Sequence, residues 1–190
     1  MSLDDDIGRI LFSRAEIESA IDRIAAEVTR SYAGREFTVI SVLKGSCVFA
    51  ADLIRRIPNP LELGFVGVSS YGAGTRAGEI ELHFLPSKRE IEGRDVLIVD
   101  DIVDTGRTLQ FIRTEIERGG ASSARTCVFL DKPSRRVVPF EPDHRGFHVD
   151  DEFVVGYGLD FGGRYRNLPY VGALRPEILG APRESRAKGG

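Results

Sequence analysis

Two apolar runs that do not alternate restrict this chain more than any other feature. "FTVISVL" (37–43) and "DVLIVD" (95–100) place apolar, largely β-branched side chains on both faces of an extended segment. Such strands are stable where helices cover both faces of a parallel sheet. The neighbouring segments supply those helices. "SRAEIESAIDRIAAEVTRSY" opens with Ser13 and Glu16 at capping-box spacing, and Ile17, Ala20, Ile21, Ile24 and Val28 recur on one helical face. The spacing predicts an amphipathic helix over 14–32, with Gly34 at its stop. Two more helices are predicted, over 46–57 before Pro58 and over 108–120 ending at its glycines. Runs 61–69 and 124–131 read as further strands. Strand, helix, strand in succession predicts an α/β fold: a parallel core sheet flanked by helices, with right-handed crossovers.

A chain of 190 residues forms one such domain, expected over 1–180, and the polar, unpatterned end 181–190 reads as a disordered tail. The net charge of −3 provides no basic footprint for nucleic acid. The acidic start lacks a basic signal-peptide region, and no apolar run reaches membrane-spanning length. Cys47 and Cys127 lie in apolar runs and read as buried, reduced thiols. Together these point to a cytoplasmic protein with no nucleic-acid or membrane partner.

The chemistry concentrates in "VLIVDDIVDTGRTL" (96–109). Ligands of parallel sheets bind beyond the carboxyl ends of the strands, where Asp100 and Asp101 fall. Carboxylates there accept hydrogen bonds from a ribose diol. The following loop, Asp104, Thr105, Gly106, Arg107 and Thr108, leads into a helix. Its backbone N–H groups and threonine hydroxyls suit a phosphate. A diol beside a monophosphate describes a ribose 5-phosphate. Rival motifs fail. "VDTG" resembles an aspartic-protease turn, but a helix follows it; no G-x-x-x-x-G-K-[ST] is present. "GAGTRA" (72–77) precedes strand-like alternation in place of a helix, and the spacing of Asp101 and Asp104 is wrong for a D-x-D phosphatase.

The same stretch closely resembles the phosphoribosyl pyrophosphate (PRPP) signature of type I phosphoribosyltransferases. "VLKGS" (42–46), "SSYG" (69–72) and "FLDKPSRR…DEFVVGYGLDFGGRYRNLPY" (129–170) are similar to the hypoxanthine-guanine branch of that family, in order, from about residue 10 to 175. Many relatives carry glutamate where this chain has Asp100. The resemblance implies purine salvage: hypoxanthine or guanine plus PRPP gives IMP or GMP plus pyrophosphate, with Mg²⁺. By the family pattern Lys44, Gly45 and Arg166 hold pyrophosphate. Asp160 binds Mg²⁺, and Asp100 and Asp101 engage the ribose hydroxyls or their metal. Residues 104–108 cradle the 5-phosphate, and Asp104 also serves as general base toward purine N7.

In the base pocket, Lys132 donates to the 6-oxo group, Phe153 stacks on the ring and the Val154 carbonyl accepts from the guanine amine. Ser69, Ser70 and Tyr71 begin a lid over 70–80. The resemblance also implies a small hood from the N-terminal residues and those after about 140, a homodimer or homotetramer, and a cis Leu43–Lys44 bond. Taken alone, Phe153 reads as core, Lys132 as a turn lysine, Asp160 as a loop cap and Lys44 as a strand-end lysine. Their joint order assigns the roles. The three histidines receive none, and "SRR" (134–136) reads as a solvated basic turn, with a subunit contact as the alternative. A second function class remains open, an RNA-binding, PRPP-sensing regulator of the same fold, which the acidic composition weakens.

Overall fold

The structure is a computed structural model that describes residues 3–70 and 80–180, apart from the side chains of Ser69 and Ser70. After strand β1 (Ile7–Phe12), helix α1 (Arg14–Ser31) begins at Ser13, whose side chain and that of Glu16 form the expected reciprocal cap. Then come β2 (Phe37–Leu43), α2 (Cys47–Ile54), β3 (Leu61–Ser70), β4 (Ile80–Phe84) and the short α3 (Lys88–Ile91). The signature follows as β5 (Asp95–Val103) and α4 (Arg107–Arg118). The chain continues through β6 (Ser123–Asp131), β7 (His144–His148), β8 (Val154–Val155), β9 (Val171–Leu174) and α5 (Pro176–Gly180).

Six strands form the main sheet in the order β4-β3-β2-β5-β6-β7. All its neighbours pair in parallel except the edge pair β3–β4. The two non-alternating runs, β2 and β5, are its centre. Odd-numbered side chains of β2, β5 and β6, such as Val39, Leu97 and Phe129, pack with Ile17, Ile21 and Ile24 of α1 and Phe49 and Leu53 of α2. The opposite face, with Ile40, Ile98 and Val128, packs on Leu109, Ile112 and Ile116 of α4. Each central strand is therefore apolar on both sides for a separate reason.

A second, three-stranded sheet, β1-β9-β8, forms the hood around Ile7, Val155, Tyr165, Leu168 and Leu174. Residues 144–148 do not join it; they extend the main sheet beside β6. Three further expectations change. β5 runs to Val103, since Ile102 and Val103 pair with Leu130 and Asp131 of β6, so Asp100 and Asp101 lie inside the strand. Cys127 is buried as expected, which pushes its thiol up, but Cys47 is exposed on α2. "SRR" is not wholly solvated: Arg136 is partly buried and pairs with the buried Asp131.

Candidate active site

β5 positions the acids. Asp100 is 7% exposed, and its Oδ1 accepts the Asp101 N–H at 2.9 Å; Asp101 Oδ1 accepts the Ile102 N–H at 2.9 Å. Burial first, and the neighbouring carboxylate second, push Asp100 well above the usual carboxylate range. Burial also raises Asp101, against the pull of its hydrogen bonds and of the Arg166 guanidinium. Asp101 thus has a cation nearby, while Asp100 has no cation partner among the described residues.

Past Val103 the chain turns through Asp104, Thr105 and Gly106 into α4. Gly106 has φ +83°, and a Cβ there would lie 2.8 Å from Arg136 Cδ and 3.0 Å from Phe140 Cβ. Only glycine meets both demands. Gly106 has no side chain to cap α4; the Arg107 N–H donates weakly to Thr105 Oγ1 at 3.4 Å, and the N-terminus of α4 faces the turn as a place for an anion. A cavity of about 360 Å³ opens over this turn, lined by Asp100, by residues 104–109 and by Val42, Val68 and Ile80.

The other end of the acid pair meets the loop after β2. The Leu43–Lys44 bond is cis. A Cβ on Gly45 would come within 1.6 Å of Asp101 Oδ2 and 3.3 Å of Arg166 Nη1, so backbone, acid and guanidinium converge there. Gly158, at φ +98°, presses on the Gly45 carbonyl from the hood; its Cβ would lie 2.2 Å away. Arg166 donates to the Gly158 carbonyl and pairs with Asp160 Oδ1, both at 2.5 Å, while Asp160 Oδ2 accepts the Gly163 N–H at 2.7 Å. Lys44 has no ion pair among the described residues.

A second cavity, of about 430 Å³, lies between the main sheet and the hood, lined by Asp101, Asp104, Lys132, Phe153, Val154 and Asp160 among others. Lys132 is 8% exposed, rare for a lysine; its Nζ donates to the Glu152 carbonyl at 2.5 Å. Phe153 is not core. It is 43% exposed, with its ring edge-on to Phe161 at 5.2 Å. Val154 is buried at the start of β8. Asp104 and Ile102 line both cavities.

The structure thus brings the acids, Thr105–Thr108, Lys132, Phe153, Val154 and Asp160 around two adjoining cavities. Gly45 and Arg166 meet Asp101 beside them without lining either, and Lys44 lines neither. The fold does not gather Asp100, Asp101 and Asp160 into one cage: no cluster of three or more metal-ligating side chains occurs among the described residues. Ser69 and Ser70 end β3, and Tyr71 and the rest of the expected lid lie outside the described residues. Sequence reasoning missed Arg136. Its Nη1 donates to the Asp104 carbonyl at 2.6 Å, its Nε to the Phe140 carbonyl at 2.9 Å, and its Nη2 to Asp131, which is fully buried. One signal could have exposed it: an acid closing the buried run "CVFLD" demands a cation.

A model of the phosphoribosyl transferase domain matches residues 11–162. The chain belongs to the phosphoribosyltransferase family. It is 44% identical over 177 residues to the hypoxanthine-guanine phosphoribosyltransferase of Streptococcus thermophilus, covering 93% of this chain and 98% of that protein. It is 47% identical over 178 residues to the bifunctional protein TilS/HprT of Listeria innocua, covering 93% of this chain but only 27% of that longer protein. Among solved phosphoribosyltransferases, a hypoxanthine enzyme from Staphylococcus aureus superposes with a TM-score of 0.89 at 39% identity, over 94% of this chain and 97% of the other. The mainly parallel sheet with flanking helices is the type I fold of this family.

Proposed function

We propose that this phosphoribosyltransferase acts in purine salvage, transferring the 5-phosphoribosyl group of PRPP to hypoxanthine or guanine. One observation carries the reading: Asp104 walls both the phosphate cavity and the cavity beneath Lys132 and Phe153. A group there reaches a sugar phosphate on one side and a purine on the other. The N9–C1 bond forms as the C1–pyrophosphate bond breaks, and the proton on purine N7 passes to the Asp104 carboxylate. The turn from Asp104 to Thr108 holds the 5-phosphate, with Arg107 adding charge. Asp100 and Asp101 take the ribose hydroxyls. Lys44, the Gly45 N–H and Arg166 hold the departing pyrophosphate, whose charge must be met.

The acid pair, in which Asp100 has no cation partner among the described residues, fits Mg²⁺. The pair alone supplies a partial set of oxygens, which suits an ion that keeps waters and substrate oxygens as its other ligands, and Asp160, whose oxygens meet Arg166 and the Gly163 N–H, would reach that ion through water. When bound, Mg²⁺ would neutralise pyrophosphate charge. In the purine cavity Phe153 offers an exposed ring for stacking. The Val154 carbonyl accepts from the guanine amine, and Lys132 exchanges the Glu152 carbonyl for the purine 6-oxo group. The working protein is a cytoplasmic homodimer or homotetramer that binds neither nucleic acid nor membrane; no described helix is long and apolar enough to cross one.

Initial rates with PRPP and each base test the assignment. Adenine sets an amino donor against the Lys132 ammonium, which has no acceptor. Hypoxanthine and guanine are expected to turn over, with adenine poorer by at least about 10²-fold in kcat/KM. Comparable use of adenine overturns the reading.

A further inference from the structure

We propose that Arg135, which no part of the transfer reaction above uses, is a positioning residue for the general base. Its guanidinium holds one oxygen of Asp104 so that the other faces the purine. The inference rests on Asp104 being the base.

Pro133 opens a single 3-10 turn, Pro133–Arg135, directly after Lys132, and the Arg135 N–H donates to the Lys132 carbonyl at 3.1 Å. Side chains three apart eclipse in such a turn, so Arg135 lies on the same side as Lys132. Both line the purine cavity. From there Arg135 Nε donates to Asp104 Oδ1 at 3.1 Å. Its Nη1 donates to both oxygens of Asp151, at 3.1 and 3.4 Å, on the rim beside Glu152 and Phe153. The planar fork therefore spans the cavity edge, from the base to the segment that carries the stacking ring. Asp104 Oδ2 has no partner among the described residues and is the oxygen left for purine N7–H.

All three side chains are about half exposed. In water such pairs contribute little to stability, so folding does not account for the arrangement. A bound purine excludes water from this edge, and the Arg135–Asp104 contact strengthens in the state where aim matters. Lys132 and Arg135 then divide the work along one edge of the base. The lysine meets the oxo group, and the arginine aims the acid at the neighbouring ring nitrogen.

A double-mutant cycle tests this, using the full chain, PRPP, Mg²⁺ and hypoxanthine. Arg135→Gln is expected to lower kcat about tenfold, short of the ~10²-fold that gross misplacement brings. KM for PRPP and the melting temperature should not move. Arg135→Lys, which keeps charge but loses the fork, should recover part of the rate. In an Asp104→Asn background, Arg135→Gln should have no further effect. A wild-type kcat in Arg135→Gln, or an equal loss in both backgrounds, overturns the proposal while leaving Asp104 as base. A near-normal kcat in Asp104→Asn alone overturns the base assignment instead.

Discussion

Asp104 carries the sharpest prediction at the scale of single residues. Its backbone is held by Arg136 and its Oδ1 by Arg135, so Asp104→Asn keeps the turn but cannot take a proton. The expected loss is about 10²–10⁴-fold in kcat, with PRPP binding little changed. Stopped assays with hypoxanthine, beside calorimetric titration with PRPP, check both halves. Asp100 differs in kind. Its folded-state affinity for a proton is raised by burial and by Asp101, so the folded chain binds more protons than the unfolded one above the ordinary carboxylate pKa. Stability of the metal-free protein is therefore lost through this pair as pH rises above that value. Asp100→Asn should raise the melting temperature in EDTA, by more at pH 7 than at pH 5, and should weaken the stabilisation that added Mg²⁺ confers. An unchanged or lower melting temperature at pH 7 would count against a strained acid pair.

Elements set the site by where they end. α4 begins at Gly106, whose left-handed backbone and contact with the Arg136 stem exclude a side chain. Gly106→Ala should destabilise the fold by about 1–3 kcal/mol and raise KM for PRPP more than KM for hypoxanthine. Urea melts and the ratio of the two KM values read these separately. On β7, His144 packs toward α1, with Nδ1 3.6 Å from Glu27 and Nε2 buried without a partner among the described residues. Burial holds its pKa below the ordinary 6.5, against the pull of Glu27. The unfolded chain then binds a proton that the folded chain does not. The stability this contributes is present above the unfolded value and is lost as pH falls through 6.5. His144→Gln should flatten the fall in melting temperature between about pH 7 and pH 5.5. A parallel fall in both proteins would remove His144 as a contributor.

Across the whole molecule the hood must meet the main sheet to complete the site. Tyr157 helps to hold that junction: its ring packs on Phe129, with centroids 4.8 Å apart, and its hydroxyl donates to Asp52 of α2 at 2.7 Å. Tyr157→Phe keeps the ring and loses the hydrogen bond, for an expected cost of about 1 kcal/mol with turnover little changed. Denaturant unfolding beside an activity assay distinguishes this from damage to the site. Gly158, one residue on, reaches the Gly45 carbonyl and brings Arg166 against the acids of β5. Two segments more than a hundred residues apart in the chain thus meet at one end of the acid pair.

Patterns of short period are legible in the chain itself. Apolar runs without alternation require cover on both faces, which places β2 and β5 at the centre of a parallel sheet. Helical spacing and a capping box locate α1 to within a residue of its observed end. The acids, the glycine turn and the purine segment are readable as chemistry because their order along the chain matches their family. Other features depend on partners far apart in sequence. β5 runs three residues past its expected end through pairing with β6, and β7 joins the main sheet by the same means. Phe153 faces a cavity, while the similar Val154 and Val155 beside it are buried. Arg135 and Arg136 read alike as neighbours in a basic turn. Only the folded chain sets one beside an acid at a cavity edge and the other over a fully buried carboxylate, because a charged side chain's surroundings are supplied by elements that its own segment does not encode.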